Sequence, residues 1–290
     1  MDLDRRLALL SDAARFDAPC IGRAPARAGG RTRAALPTLQ PAAVPPTLIQ
    51  ESVAGDGRTV RLLRLLLTSH CIHDCAYCPL RRSADPERAR LSARDVVRVV
   101  MDHHRRGLID GLFLSSAVDR DADHTMGELV AVARLLRREQ HYLGYVHLKV
   151  VPEADPALID EAARWADRVS VNVELPSQRR LDALAPGRRL ATMTRAMDRL
   201  RDGITDAYDG WRWRQRTVGW PLRGSGGGRL PRYAPAGQVT QLVVGVDDTT
   251  DAELLRAASE LYRRERLRRV YYGGFVPTVG QPDGLPDVAS

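Results

Sequence analysis

The sequence predicts an α/β fold, a partial (β/α)6 TIM-like barrel that follows an N-terminal helical and loop extension. From residue 60 onward, strand and helix patterns alternate six times with short connections, which indicates a parallel sheet. A closed barrel of this architecture has eight such units, so six units indicate a partial barrel. The first predicted strand, residues 60–67, is a nearly continuous apolar run that leads directly into a loop with three of the four cysteines.

The N-terminal extension combines a helix with a basic loop. Apolar residues recur at helical spacing and predict a helix over 2–16. Cys20 and an arginine-rich loop follow, and this loop either holds phosphates or forms a solvated tail. Residues 36–58 are rich in proline and glycine and are predicted to form a linker. We expect three segments, namely the extension over 1–58, the barrel over 59–280 and a tail over 281–290.

The barrel elements are predicted from hydrophobic period and from capping residues. Ser92 and Asp95 match an N-terminal capping box, so a helix is expected to begin there and to end near residue 106. The later elements are predicted as strand 111–115, helix 125–139, strand 144–150, helix 156–166, strand 169–174, helical segments 178–184 and 190–202, strand 239–246, helix 251–265 and strand 269–275.

Residues 205–237 interrupt this alternation and are predicted to form an insertion. The segment holds three of the four tryptophans, Trp211, Trp213 and Trp220, interleaved with arginines and followed by a glycine-rich run. Aromatic and basic residues in this pattern can stack on bases and contact phosphates. The alternative is a loop that packs over the barrel and has a mobile glycine-rich tip.

Composition restricts the location and the partners of the protein. The net charge of +8 favours an anionic partner such as a nucleic acid, a nucleotide or a phosphate, although general arginine enrichment would also produce it. No apolar run approaches the roughly 18 residues of a membrane span, and the N-terminus lacks the apolar core of a signal peptide. Clustered cysteines suit a reducing compartment, so we expect a cytoplasmic protein without a membrane partner.

The cysteine loop carries the strongest chemical signal in the chain. Cys71, Cys75 and Cys78 are spaced C-x3-C-x2-C. Three thiolates at this spacing can bind three irons of a four-iron cube and leave the fourth iron open for reaction. The alternative is a structural zinc site with His70 or His73 as the fourth ligand.

The cysteine motif, with an aromatic residue before its last cysteine, resembles the signature of radical S-adenosylmethionine (SAM) enzymes. Most of residues 1–280 are similar to a radical SAM group described as DNA modification or repair proteins. The stretches that carry this similarity are residues 13–20, 75–82, 111–116, 171–177 and 270–272. The resemblance implies a [4Fe–4S] cluster, bound SAM, a flavodoxin- or ferredoxin-type electron donor, and a 5′-deoxyadenosyl radical that removes hydrogen from the substrate.

Two residues that each occur once in the chain lie on adjacent predicted strands. Lys149 is the single lysine and Asn172 is the single asparagine. Side chains alternate along a strand, so His147 shares a face with Lys149, and Asn172 shares a face with Glu174. Four polar groups cannot remain unpartnered in a core, so they bind either a polar ligand or an internal network with water.

The resemblance assigns roles to residues near the carboxyl ends of the strands. It implies that Cys71, Cys75 and Cys78 bind three irons while SAM chelates the fourth. Ser115 and Ser116 replace the Gly-Gly-Glu segment that often binds the methionyl amino group. The expected cofactor-binding residues are Tyr77, Ser115, Ser116, Lys149, Asn172, Glu174, Val244 and Gly245. The expected substrate-binding residues are His147, Gln241, Tyr271 and Tyr272.

Cys20 is the fourth cysteine and has three candidate roles. It donates hydrogen to a product radical as a catalytic residue, anchors a second iron–sulfur cluster, or is a plain buried thiol. A second cluster near Cys20 would need ligands other than cysteine. Sulfur-inserting radical SAM enzymes use a second cluster as the sulfur source, so the resemblance also keeps sulfur insertion as a reaction type.

We expect a radical SAM enzyme acting on a small nucleoside- or nucleotide-type substrate, in nucleoside modification or natural-product biosynthesis. The first alternative is a DNA lesion repair or modification enzyme. DNA is the less favoured partner because the chain ends soon after residue 278, where relatives continue with a helical region suited to DNA contact. The second alternative is a non-catalytic zinc or iron–sulfur protein that binds nucleic acid.

Overall fold

The computed structural model describes residues 1–14, 49–53, 59–217, 233–278 and 280–286. Its elements alternate between strand and helix, as the sequence predicts. In chain order they are α1 (Leu3–Ala14), β1 (Ile49–Val53), β2 (Thr59–Leu66), α2 (Ala93–Arg105), β3 (Gly111–Ser115), α3 (Ala122–Arg138), β4 (Tyr145–Lys149), α4 (Pro156–Trp165), β5 (Arg168–Ser170), α5 (Gln178–Leu184), α6 (Leu190–Thr217), β6 (Gln238–Val244), α7 (Asp251–Glu265) and β7 (Arg269–Gly274).

One seven-stranded sheet contains β1 to β7 in sequence order. Strands β2 to β7 are parallel, each joined to the next through at least one helix, and this confirms the predicted partial barrel. The segment predicted as a linker contains β1, which pairs antiparallel with β2. Its pairing partner is an apolar strand, so backbone hydrogen bonds with that neighbour order a segment whose own composition suggests a loop.

The outer face of the sheet packs against the helices and forms the core. Leu63, Leu112, Val146 and Leu148 on this face are fully buried. Burying each such side chain stabilises the fold by about 2 kcal/mol. At the start of α2, Ser92 and Asp95 each accept a hydrogen bond from the other's backbone N–H, which confirms the predicted capping box.

Two predicted boundaries differ from the structure by four residues or more. Strand β5 ends at Ser170 rather than at residue 174, because the Thr240 hydroxyl enters the ladder. That hydroxyl donates to the Val171 carbonyl at 2.7 Å and accepts from the Val173 N–H at 3.2 Å. Helix α6 continues to Thr217, so the first part of the predicted insertion is helical.

Three sequence features lie outside the described residues. They are the arginine-rich loop after α1, Cys20, and the part of the insertion that holds Trp220 and the glycine-rich run. In the part of the chain that the structure describes, no helix combines the length and apolar character needed to cross a membrane.

Candidate active site

A cavity of about 560 Å³ opens at the carboxyl ends of the parallel strands. Gln50 of β1 and Gly273 of β7 both line it, so the sheet curls until its two edge strands face one space. Nine predicted site residues line this cavity, namely Cys71, Cys75, Cys78, Tyr77, Ser116, Lys149, Asn172, Glu174 and Gln241. The tertiary structure thus gathers side chains from five separate strand ends.

The cysteine loop is tied to neighbouring elements through its backbone. The Ile72 N–H donates to the Val118 carbonyl at 2.8 Å, and the Ala76 N–H donates to the Leu184 carbonyl at 2.7 Å. Inside the loop, the Cys78 N–H donates to the Cys75 carbonyl at 2.9 Å. These bonds hold the three thiols at the cavity wall.

Arg88 binds backbone carbonyls at both ends of the same loop, and it was not predicted from the sequence. Its guanidinium donates to the Ser69 carbonyl at 2.5 Å, before the cysteines, and to the Leu80 carbonyl at 3.1 Å, after them. It also donates to the carbonyls of Arg81 at 2.8 Å and Ala84 at 2.9 Å. One partly buried cation therefore joins both ends of the loop.

The three thiols form a donor set suited to a thiolate-bound cluster. Burial raises the pKa of Cys75 to about 12 and that of Cys78 to about 11. Negative charge on Cys71 contributes to raising the pKa of both cysteines, so the three sulfurs share one environment. Within the described ranges, no three His, Cys, Asp or Glu side chains surround a single metal-ion position. In a four-iron cube each thiolate binds a different iron, so this donor set fits the cube.

Lys149 and Glu174 form an ion pair at the cavity wall, with 3.8 Å between Nζ and Oε1. Glu174 has a left-handed backbone with φ of 65°, which is costly for a residue other than glycine. Strand β6 holds this conformation through backbone hydrogen bonds. The Glu174 N–H donates to the Gln241 carbonyl at 2.9 Å, and the Glu174 carbonyl accepts from the Val243 N–H at 2.7 Å. Asn172 lies beside this pair and is 6% exposed.

Six predicted site residues do not line the cavity, although all lie in described ranges. Val243 lines it instead of Val244, so Val244 faces the opposite side of β6, and Gly245 also lies outside the lining. Tyr272 lies beside Tyr262 of α7, on the outer face of β7. The carboxyl end of a strand can be predicted from the sequence, whereas the choice of which of its residues face the cavity depends on the register of the strand.

The other three predicted site residues that do not line the cavity are Ser115, His147 and Tyr271. Ser115 is 1% exposed, and its hydroxyl has no hydrogen-bond partner in the described part of the chain. His147 packs edge-on against the Phe113 ring, with ring centroids 4.7 Å apart. Tyr271 has the Arg269 guanidinium over its ring at 5.6 Å.

A partly buried ion pair, which was not predicted from the sequence, lies beside the cysteines. Arg188 lines the cavity, and its Nε lies 3.2 Å from Oε1 of Glu153. The Arg188 side chain is 14% exposed and its positive charge acts on Cys75 and Tyr77. The pKa of His73 is lowered by burial and then by the Arg188 charge, so this histidine stays neutral. The sequence contains many arginines, and no local pattern distinguishes Arg188.

The fold and the site define an α/β enzyme whose three thiols lie at the mouth of a partial parallel barrel. The Radical SAM superfamily model matches residues 65–210, which is half of the chain. The chain belongs to the radical SAM superfamily. Family membership favours an enzyme with a [4Fe–4S] cluster and SAM over a zinc site or a non-catalytic binding protein.

Solved structures share the fold at low sequence identity. HydG, a maturase of the [FeFe]-hydrogenase, is 14% identical with a TM-score of 0.56, and the match covers 79% of this chain and 46% of HydG. Methylornithine synthase (PylB) is 12% identical with a TM-score of 0.53, and the match covers 77% of this chain and 56% of PylB. The chain thus spans about half the length of these proteins. Among curated proteins, none matches this chain.

Proposed function

We propose that the protein abstracts hydrogen from a nucleoside- or nucleotide-type substrate. The proposal rests mainly on one observation. Lys149, Glu174 and Asn172 line the same cavity as the three cysteines. When bound, the cluster and SAM supply a 5′-deoxyadenosyl radical after one-electron reduction by an external donor. The net charge of +8 supports an anionic or nucleic-acid-related substrate.

The described residues divide the binding tasks by charge. Cys71, Cys75 and Cys78 would hold the cluster as thiolates. Lys149 and Glu174 present one cation and one anion 3.8 Å apart, which complements a zwitterionic amino acid group such as that of SAM. Asn172 offers an amide to ribose hydroxyls.

The cavity walls around these polar groups are largely apolar. They include Val118, Val150, Val151, Val243 and Phe275. Such walls exclude water and strengthen each charged contact inside the site. With the cofactors bound, these walls would keep solvent away from a carbon radical in the cavity.

The proposal is tested with anaerobically reconstituted protein and a chemical reductant. We expect nucleosides or nucleotides to accelerate formation of methionine and 5′-deoxyadenosine, and one deuterated compound to transfer its label into 5′-deoxyadenosine. A panel that includes all four common bases and gives neither acceleration nor label transfer would contradict the proposed substrate class. Basal SAM cleavage without substrate reports separately that the cofactor site works.

Replacing Lys149 with methionine is expected to weaken SAM binding by about 10- to 100-fold, because a charged hydrogen bond contributes about 1.5–3 kcal/mol. Equilibrium binding of SAM to the oxidised, reconstituted protein measures this change. Lys149→Arg keeps the charge and serves as the matched control, with a smaller loss expected. Equal SAM affinity in wild type and Lys149→Met would remove Lys149 from the cofactor site.

Replacing Arg188 with glutamine is expected to lower the reduction potential of the cluster by on the order of 50 mV, since a buried cation beside Cys75 favours the added electron. A redox titration followed by electron paramagnetic resonance measures the potential. Arg82, exposed on the same loop, provides the matched control variant Arg82→Gln. Equal potentials in wild type and both variants would show that Arg188 has no electrostatic role at the cluster.

A role for Cys20 as hydrogen donor or as anchor of a second cluster remains part of the proposal. Iron counting on wild type and Cys20→Ala tests the second role. About eight irons per wild-type chain, falling to about four in the variant, would support a second cluster. About four irons in both would leave hydrogen donation or a plain thiol.

Modification or repair of DNA is the second candidate function. The observation that favours it is the C-terminal part of α6, where Trp213 is 64% exposed and Arg212 is also exposed. Exposed aromatic and basic side chains in this arrangement can stack on unpaired bases. Tight duplex binding that weakens steeply with salt, together with SAM cleavage stimulated by DNA, would support it.

A further inference from the structure

We propose that the barrel interior directly below the cofactor cavity binds the phosphate of the substrate, so that the substrate is a nucleotide rather than an uncharged nucleoside. This inference rests on the proposed function and specifies its substrate class. The residues that would bind the phosphate are Arg168, His147 and Ser170.

Strand register places these residues on the inner face of the barrel. Lys149 lines the cavity, so His147, two residues earlier on β4, points to the same side. Arg168 pairs with His147 and Ser170 pairs with Lys149 in the β4–β5 ladder, and paired residues share a face. His147 and Arg168 therefore lie about 7 Å along the strand below Lys149, whereas Ser170 lies level with Lys149. The three side chains together span no more than the length of one nucleotide.

These inward side chains carry polar atoms without partners. His147 is 6% exposed and Ser170 is 4% exposed. In the described part of the chain, His147 Nε2, Ser170 Oγ and Arg168 Nε are buried and accept or donate no hydrogen bond. Buried polar atoms in native proteins are nearly always paired, so this layer is expected to be completed by a ligand or by water.

The charge of the layer selects an anion. Strands β2 to β7 contain no aspartate or glutamate, although they carry five cationic residues, namely Arg61, Arg64, Lys149, Arg168 and Arg269. No carboxylate of the described residues lies within ion-pair distance of Arg168. Glu174, which follows β5, already faces Lys149 at 3.8 Å. A cation in a low-dielectric interior strongly favours a neighbouring negative charge.

The number and type of donors favour a phosphate. Arginine offers a fork of N–H donors that matches phosphate oxygens. His147 adds a ring nitrogen from the position paired with Arg168, and Ser170 adds a hydroxyl from two residues further along β5. The pKa of His147 is held well below its usual range by burial and then by the charges of Arg168 and Lys149, so two cations act on the ring.

The experiment compares each common nucleoside with its 5′-monophosphate on reconstituted holoprotein with SAM, using calorimetric titration and SAM cleavage. We expect at least one nucleotide to bind about 10-fold or more tightly than its nucleoside. Arg168→Gln is expected to remove most of this difference while leaving nucleoside affinity unchanged. Arg168→Lys keeps the positive charge and is expected to retain part of the affinity difference between nucleotide and nucleoside. Arg134→Gln, on the solvent side of α3, provides a matched control without effect.

Several outcomes would overturn the inference and still spare the proposed function. Equal affinity for nucleosides and nucleotides, or an unchanged nucleotide preference in Arg168→Gln, would indicate a water-filled polar network. If no nucleoside or nucleotide binds or stimulates cleavage, the proposed function fails, and inorganic phosphate then tests the layer alone. Phosphate binding that is lost in Arg168→Gln supports the anion site, whereas no phosphate binding overturns it. Thermal unfolding of each variant confirms that it is folded.

Discussion

Replacement of Cys75 by alanine is expected to abolish the iron–sulfur cluster and to reduce SAM cleavage by more than about 100-fold. Even residues that only orient metal ligands cost about 10- to 100-fold when they are removed, and Cys75 would be a direct ligand. With one thiolate missing, the C-x3-C-x2-C motif keeps two thiols at the cavity wall, those of Cys71 and Cys78. Iron and sulfide content, the visible absorption of the cluster and 5′-deoxyadenosine formation measure the effect.

Cys20→Ala is the matched control for this experiment, because Cys20 is the one cysteine outside the motif. It should keep the absorption of the motif cluster and the basal cleavage of SAM. A Cys75→Ala protein that still holds about four irons and cleaves SAM at the wild-type rate would contradict the assignment of the motif as the cluster site.

Replacement of Arg88 by methionine is expected to destabilise the protein by about 3 kcal/mol and to lower its iron content by half or more. The guanidinium donates to four backbone carbonyls at both ends of the cysteine loop, and bonds from a charged donor contribute about 1.5–3 kcal/mol each, although not additively. Methionine fills similar space without donating. Thermal unfolding should shift down by roughly 5–10 °C.

Arg82→Met tests whether these effects depend on the carbonyl contacts that Arg88 makes at both ends of the loop. Arg82 lies on the same loop but is exposed, so its replacement should change neither stability nor iron content. If Arg88→Met retains full iron and the wild-type melting temperature, the loop is held by its backbone contacts to Val118 and Leu184 alone.

Local patterns in the sequence were sufficient to predict most of the barrel. Helices α2 to α4 and α7 each bury one apolar stripe, and strands β2 to β4 are short and rich in apolar residues, so period and length identify them. Strand β1 was missed because its order comes from pairing with β2 and not from its own residues. The end of β5 was misplaced because a side chain, that of Thr240, replaces a ladder bond there.

The candidate site was predictable where residue type alone carries the information. The cysteine spacing, the single Lys149 and the single Asn172 are visible in the chain without a structure. Arg88 and Arg188 were not predictable, since their importance lies in what surrounds them. Both act through contacts with residues distant in sequence or with backbone atoms, which leave no local signature.

The sequence by itself determined the family, the parallel barrel and the three thiols that end its first strand. It did so because hydrophobic period and cysteine spacing are local properties of the chain. Only the tertiary structure decided which strand residues face the cavity, placing Val243 inside and Val244 and Tyr272 outside. A shift of one residue reverses the face of a strand, and that register is set by pairing between distant segments.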